Sequence, residues 1–286
     1  MLVIRPRGGL CNYLRHVFGW YSYARSINSQ LVVVWEETCH CNGFFLDYFE
    51  EIDGITFLRD NSENYEFASN GWHGPPSSDY KALGYKSLKL RKDMLKIIKR
   101  RIKKLNGKNK GCVDVGRKDV NGKGVKQKKI ITSGLERKKI IIKVKNSKNG
   151  KNGKNGNRLK KVKKVKKLKN KYNSVHIRRT DHIGFAISRN AFTTDDEFNT
   201  FIKNNKNNKN LYIATDDPKT YKVFRKRYRK NVKLKYHETN PTAYRKTSLR
   251  DAIIDIYMSV YADEFMGSGA SSFSELITTL RDIKKS

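Results

Sequence analysis

Apolar residues fall in short unbroken runs, and the runs alternate with stretches of helical spacing. Leu2 to Arg5 opens with three apolar residues in succession, the pattern of a buried strand rather than a half-exposed one. Gly8 and Gly9 then read as a turn. Leu14, Val17, Phe18, Tyr21, Ala24 and Ile27 recur every three or four positions, which predicts an amphipathic helix. Leu31 to Trp35 predicts a second buried strand. This β-loop-α-β opening lacks the G-x-G-x-x-G spacing, so its glycines imply no dinucleotide. Residues 41 to 58 mix aromatics with acids, a composition suited either to a cleft wall or to plain packing. Ser87 to Leu105 predicts one amphipathic basic helix.

A second α/β unit begins near Lys171. The pattern predicts a strand from Ser174 to Arg178, a helix around Asp196 to Lys203 and a strand from Leu211 to Thr215. A helix from Pro218 to about Arg229, a strand from Val232 to Tyr236 and a helix from Leu249 to Tyr261 follow. A short strand ends near Gly267, and Gly269-Ala270-Ser271-Ser272 leads into a last helix. Strands alternating with helices indicate parallel sheets, so the fold class is α/β. The boundaries read as 1–105 for the first unit, 106–170 for an insert and 171–286 for the second unit.

Charge changes this picture less than its total suggests. The 286 residues carry a net charge of +35, which by itself points to nucleic acid. Residues 99 to 171, however, hold 30 of the 62 Lys and Arg and only 3 of the 27 Asp and Glu. The basic character therefore belongs mostly to one insert. Its Lys-, Asn- and Gly-rich repeats over 148 to 170 read as a disordered, solvated spacer. Within it, Arg158 to Lys169 places Val or Leu at every third position, which also suits a basic helix on an anionic surface. Aromatics are nearly absent there, which argues against single-strand stacking. Cys11, Cys39, Cys41 and Cys112 have no zinc spacing, so reduced thiols are expected. No leader or apolar span is recognised, and a cytoplasmic location is expected.

The chemistry concentrates at predicted strand ends. Val175-His176-Ile177-Arg178-Arg179-Thr180-Asp181 delivers two arginines and a carboxylate to one place. Such a pair is either an ordinary surface pair or a phosphate site, because the planar guanidinium matches phosphate oxygens in two-point contact. Thr215-Asp216-Asp217 and Ser268 to Ser272 end the neighbouring strands, and the latter sits at a helix start. Arginines, carboxylates and a helix start together describe a pocket for a phosphorylated ligand with polar hydroxyls or a base.

These residues also carry a family resemblance. VHIRRTDHIG (175–184), LYIATDDP (211–218), TSLRDAIIDIY (247–257) and ADEFMGSGASSFSELI (262–277) resemble the successive motifs of the α-1,6-fucosyltransferases. That superfamily includes the nodulation fucosyltransferases and the protein O-fucosyltransferases. GGLCNYLRHVFG (8–19) is similar to its N-terminal glycine-Asn-His loop. The resemblance implies a GT-B architecture, two Rossmann-like domains with the active site in the cleft between them. It implies a GDP-β-L-fucose donor, inversion at the anomeric carbon, a glycan or other hydroxyl acceptor, and no metal. By position it places His176 and Asp255 at guanine and Arg178 at the β-phosphate with Ser271 or Ser272. Arg179, Asp216 and Asp217 lie near the nucleotide, and Gly8, Asn12 and His16 face the donor sugar.

The sequence departs from the family at one functional point. A lysine and a glutamate soon after the H-x-R-R-T-D motif are associated there with activating the acceptor. The corresponding residues here are His182 and Ala186. His182 or Asp181 then becomes the candidate base, with Arg178 stabilising the departing GDP. Two other readings stand beside a fucosyltransferase. One is a transferase of another GDP-sugar. The other is a degenerate scaffold binding nucleic acid or another anionic surface through the insert.

Overall fold

The computed structural model describes residues 1–72, 74–75, 80–106, 172–205, 210–228 and 248–286. The Lys-rich insert and the strand expected over Val232 to Tyr236 lie outside the described residues. The first half is built on β1 (Leu2–Pro6), α1 (Leu10–Ser26), β2 (Leu31–Val34), β3 (Ile55–Leu58) and β4 (Ser69–Gly71). The strands form one sheet in the order β3-β2-β1-β4, and all neighbouring pairs are parallel. Both faces of its centre are covered, which explains why Leu2 to Ile4 of β1 and all of β2 are unbroken apolar runs. Ile4, Leu31 and Val33 pack with α1 on one side. Val3, Val32 and Val34 pack with Leu58, Tyr65 and Phe67 on the other.

The aromatic stretch over 41 to 58 resolves toward packing. Phe45 stacks on Phe57 at 4.0 Å and on Phe49 at 4.9 Å. Trp35 is fully buried, meets Tyr13 edge-on at 4.8 Å and donates its indole N–H to the Gly43 carbonyl at 2.9 Å. The helix expected over Ser87 to Leu105 starts five residues later, as α3 (Lys92–Asn106), and a helix that was not expected, α2 (Tyr80–Ser87), precedes it. Between them the backbone pairs elsewhere: Glu50 N donates to Lys89 O and Arg91 N to Tyr48 O. Leu88 and Leu90 are buried in that connection, so apolar spacing alone does not reveal the break.

The second half comprises β5 (Tyr172–Ile177), α4 (Ile183–Ser188), α5 (Asp195–Asn204), β6 (Asn210–Thr215), α6 (Pro218–Tyr228), α7 (Leu249–Val260), β7 (Phe265–Gly267) and α8 (Ser272–Lys285). The strand order is β6-β5-β7, again parallel throughout. Every residue of β5 is buried, as its central position requires. α5 starts in a complete capping box between Thr194 and Glu197. One apolar cluster runs from Ile4 and Trp35 through Ile98 of α3 to Tyr172, Tyr212, Ile253 and Leu276, so both sheets share a core. They lie in one compact unit.

α7 ends against a buried arginine. Arg281 of α8 donates to the carbonyls of Ser259 (2.9 Å), Ala262 (2.7 Å) and Asp263 (2.9 Å). A helix leaves its last carbonyls without intrahelical partners, and here a fixed cation supplies them. Replacing Arg281 by Met removes the donors while keeping much of the apolar stem. Chemical denaturation of Arg281→Met should show a loss of about 1–3 kcal/mol, and an unchanged midpoint would mean that these bonds contribute nothing net.

Candidate active site

Parallel pairing fixes where the polar residues meet. His176 is level with Ala214 of β6 and Gly267 of β7, and Ile177 is level with Thr215. The residues just beyond, Arg178, Asp216 and Ser268, therefore emerge side by side at the carboxyl edge. The chain runs from β5 to β6 on one side and returns to β7 on the other. That reversal is where ligands of open α/β sheets bind. A cleft of about 960 Å³ opens at this edge. Its lining includes Asn12 and Arg15 of α1, Asn42 and Trp72 from the first half, and Asp255 of α7 with Ser271 and Ser272 from the second.

Arg178 is held on both sides. Its Nη1 lies 2.9 Å from Asp216 Oδ2, and its Nη2 pairs with Asp181. Asp216 is itself fixed, accepting from the backbone N–H of Arg179 at 2.9 Å and of Thr180 at 3.3 Å. Ser268 Oγ accepts the Arg178 N–H at 2.9 Å and ties β7 to the same corner. His176 is buried, shares a 2.8 Å hydrogen bond between its Nδ1 and Ser274 Oγ, and stacks on Phe273 at 4.4 Å. Burial drives its pKa down to about 3, against the pull of Asp216 and with the push of Arg178. His176 is thus a neutral, oriented hydrogen-bonding group.

Asp255 accepts the Tyr212 hydroxyl at the cleft wall. Burial raises its pKa from 3.8 to about 7, and the Tyr212 hydrogen bond only partly opposes this. Ser271 is buried at the N-cap of α8 and makes no side-chain capping bond. The loop before it is packed without slack. A Cβ on Gly269 would lie 2.1 Å from the Ala191 carbonyl oxygen, and the Gly269 N–H donates to Thr193 Oγ1 at 2.9 Å. His182 lines the cleft, and its buried Nε2 has no hydrogen-bond partner among the described residues.

The expected site residues thus divide into two groups. His176, Arg178, Asp181, His182, Asp216, Asp255, Ser271, Ser272 and Asn12 line the cleft together. Arg179, Asp217, Gly8 and His16 do not. The Arg179 guanidinium pairs with Asp195 at 2.6 Å and lies over Phe192 at 5.0 Å. Asp217 caps α6, accepting from Thr220 N at 2.8 Å and Thr220 Oγ1 at 2.7 Å. These bonds outweigh burial and lower its pKa. Gly8 has φ +87°, and a Cβ there would meet Asn12 Nδ2 at 2.9 Å, so its place in the turn before α1 is structural. His16 is fully buried in the α1 core, with Trp20 at 6.4 Å. Ala186, at the family's glutamate position, is buried and offers no proton acceptor.

The sequence does not single out several further cleft residues. Arg15, Asn42, Ser274 and Glu275 belong to this group. Arg15 is the only Lys or Arg between Leu10 and Ala24, an anomaly in a mostly buried helix. Among the described residues no cluster of three metal-ligating side chains occurs, and no helix is long and apolar enough to cross a membrane.

Two parallel sheets whose polar strand ends share one cleft are the outline of a GT-B-like fold. No protein-family model and no curated protein matches the chain. Solved structures do match, among them fucosyltransferases. The crystal structure of fucosyltransferase NodZ from Bradyrhizobium matches with a TM-score of 0.54 at 13% identity, over 96% of this chain and 91% of that one. NodZ α-1,6-fucosyltransferase co-crystallized with GDP gives 0.51 at 14% identity over 97% and 91%. The form soaked with GDP-fucose gives 0.50 at 13% identity over 98% and 92%. The likeness is one of fold.

The raised pKa of Asp255 has a consequence for stability. Between about pH 4 and pH 7 the folded protein holds a proton on Asp255 that the unfolded chain has released, so this residue's contribution falls as pH rises through that window. Asp255→Asn, which keeps an acceptor for Tyr212, should melt at or near the wild-type temperature at pH 4. At pH 8 it should melt higher than wild type, by about 2 °C or more. Equal midpoints at both pH values would exclude a buried, reluctant carboxylate.

Proposed function

We propose that this chain is an inverting glycosyltransferase that moves fucose from GDP-β-L-fucose to a hydroxyl acceptor without a metal. The observation that carries the reading is the convergence of Arg178, Asp216, Ser268 and the start of α8 at one cleft, in a fold shared with NodZ. Residues 1–105 form the acceptor-side half and 171–286 the donor-side half. Asp255 accepts the two N–H donors of guanine, and the neutral His176 orients the base beside it. Arg178 and the backbone N–H groups at Ser271 and Ser272 hold the β-phosphate. Asn12 faces the sugar from α1.

Charge development supports this division of labour. The sugar gains oxocarbenium character as the bond to phosphate breaks. Electrons pass to the leaving GDP, whose new negative charge meets Arg178 and the α8 terminus. Such preorganised positive potential is the largest catalytic contribution in many transferases. His182 takes the proton from the acceptor hydroxyl. Its unengaged Nε2 and the absence of an acid at Ala186 favour it over a family-like glutamate.

Calorimetry should show GDP binding more tightly than UDP, and equal affinities would end the guanine assignment. The preference should weaken as pH falls below about 7, because protonated Asp255 no longer accepts both guanine donors. Arg178→Ala should lower the transfer rate by about 10²–10³-fold, or 3–4 kcal/mol, and Arg178→Lys should recover little, since a point charge lacks the planar fork. Near-wild-type turnover in Arg178→Ala would remove it from the leaving-group site. For His182→Ala, sugar transfer should fall further than slow hydrolysis of GDP-fucose, with GDP affinity unchanged. If transfer and its pH profile are untouched, His182 is not the base.

A further inference from the structure

The cleft holds a second arginine whose pairing repeats that of Arg178. Arg15 enters from α1, and its Nη2 lies 2.8 Å from Glu275 Oε2. The two residues belong to opposite halves of the chain, and both line the cleft. Glu275 sits in the first turn of α8, the helix whose N-cap Ser271 is buried and makes no side-chain capping bond. A carboxylate thus stands beside the helix end that best suits an anion, and a guanidinium from the other half neutralises it. As a purely structural tie the pair is poorly placed, because Arg15 is 20% and Glu275 43% exposed and ion pairs of that exposure add little.

We infer that Arg15 is a second ligand for the diphosphate, preheld by Glu275 and exchanged onto the nucleotide when it binds. The inference rests on the reading of this cleft as a nucleoside-diphosphate site. A guanidinium fork fits phosphate oxygens as it fits a carboxylate, and a diphosphate carries more charge than the glutamate it displaces. Glu275, once released, keeps its favourable place in the first turn of α8. The diphosphate is then gripped from both walls, by Arg178 at the end of β5 and by Arg15 on α1. In this way the exchange couples donor binding to contact between the two halves of the site.

Binding of GDP and of guanosine to the full chain separates this role from a structural one. GDP is followed by calorimetry and guanosine by ligand-observed NMR titration. Arg15→Ala should weaken GDP about 10–100-fold and leave guanosine unchanged, and Arg15→Lys should restore part of the loss. Glu275→Gln should tighten GDP, because the internal competitor is gone, and again leave guanosine unchanged. The double variant should bind GDP no more tightly than Arg15→Ala. Equal weakening of GDP and guanosine would make Arg15 a structural tie, and unchanged GDP affinity in Arg15→Ala would remove it from the site; either result overturns the inference. If Arg15→Ala does not fold, Arg15→Lys and Glu275→Gln decide. Failure of the wild-type protein to bind GDP overturns the reading beneath, whereas wild-type binding with indifferent Arg15 and Glu275 variants overturns this inference alone.

Discussion

Parallel strand pairing is the constraint on which the rest of this molecule depends. A parallel ladder brings the carboxyl ends of all its strands to one edge, and the register decides which residues become neighbours there. In the second sheet that register brings Arg178 level with Asp216, and Ser268, which follows the Gly267 level with His176, to the same edge, each one residue past its strand. Hydrogen bonds then lock the corner: Ser268 to Arg178, Asp216 to Arg179 and Thr180. A slip of one residue would send His176 to the opposite face and break this arrangement. The shared core of Tyr172, Tyr212 and Ile253 with Ile4 and Trp35 holds the first half against the second, so that α1 supplies Asn12 and Arg15 to the same cleft.

The electrostatics of the cleft differ from those of the chain. The sequence carries +35, yet Arg15 of α1 and Arg178 at the end of β5 are both matched by carboxylates in the cleft. An unpaired arginine beside low-dielectric walls would bind any passing anion. On the proposed reading, arginines already engaged would demand a ligand that replaces a carboxylate with better geometry and more charge, which would raise selectivity at the expense of affinity. The surplus charge elsewhere acts at longer range, on the rate at which anions arrive.

Much of the fold was legible because both sheets are buried on two faces, and the strands Leu2–Pro6, Leu31–Val34 and Asn210–Thr215 are consequently plain apolar runs. Ser69–Gly71 was invisible, since a three-residue edge strand of Ser, Asn and Gly has no pattern to display. The break between α2 and α3 was hidden for the opposite reason: Leu88 and Leu90 continue the apolar spacing while their backbone pairs with residues 48 to 50. At the site, motifs located the strand ends but could not say which of two adjacent residues faces the cleft. Arg178 turns in and Arg179 turns out; Asp216 turns in and Asp217 caps a helix. Partners distant in sequence, such as Arg15 with Glu275, become visible only in three dimensions.

The contact of Gly269 with Ala191 has a mechanical meaning. Backbone from the segment after α4 lies where any larger residue's side chain would begin, and the Thr193 hydroxyl binds the adjoining amide. Two loops separated by more than seventy positions are thereby keyed together as tooth and notch. The segment that follows α4 and the turn that opens α8 are fastened to each other at this point. Any side chain at position 269 would prise these two loops apart, and with them the stretch of cleft wall between His182 and the start of α8.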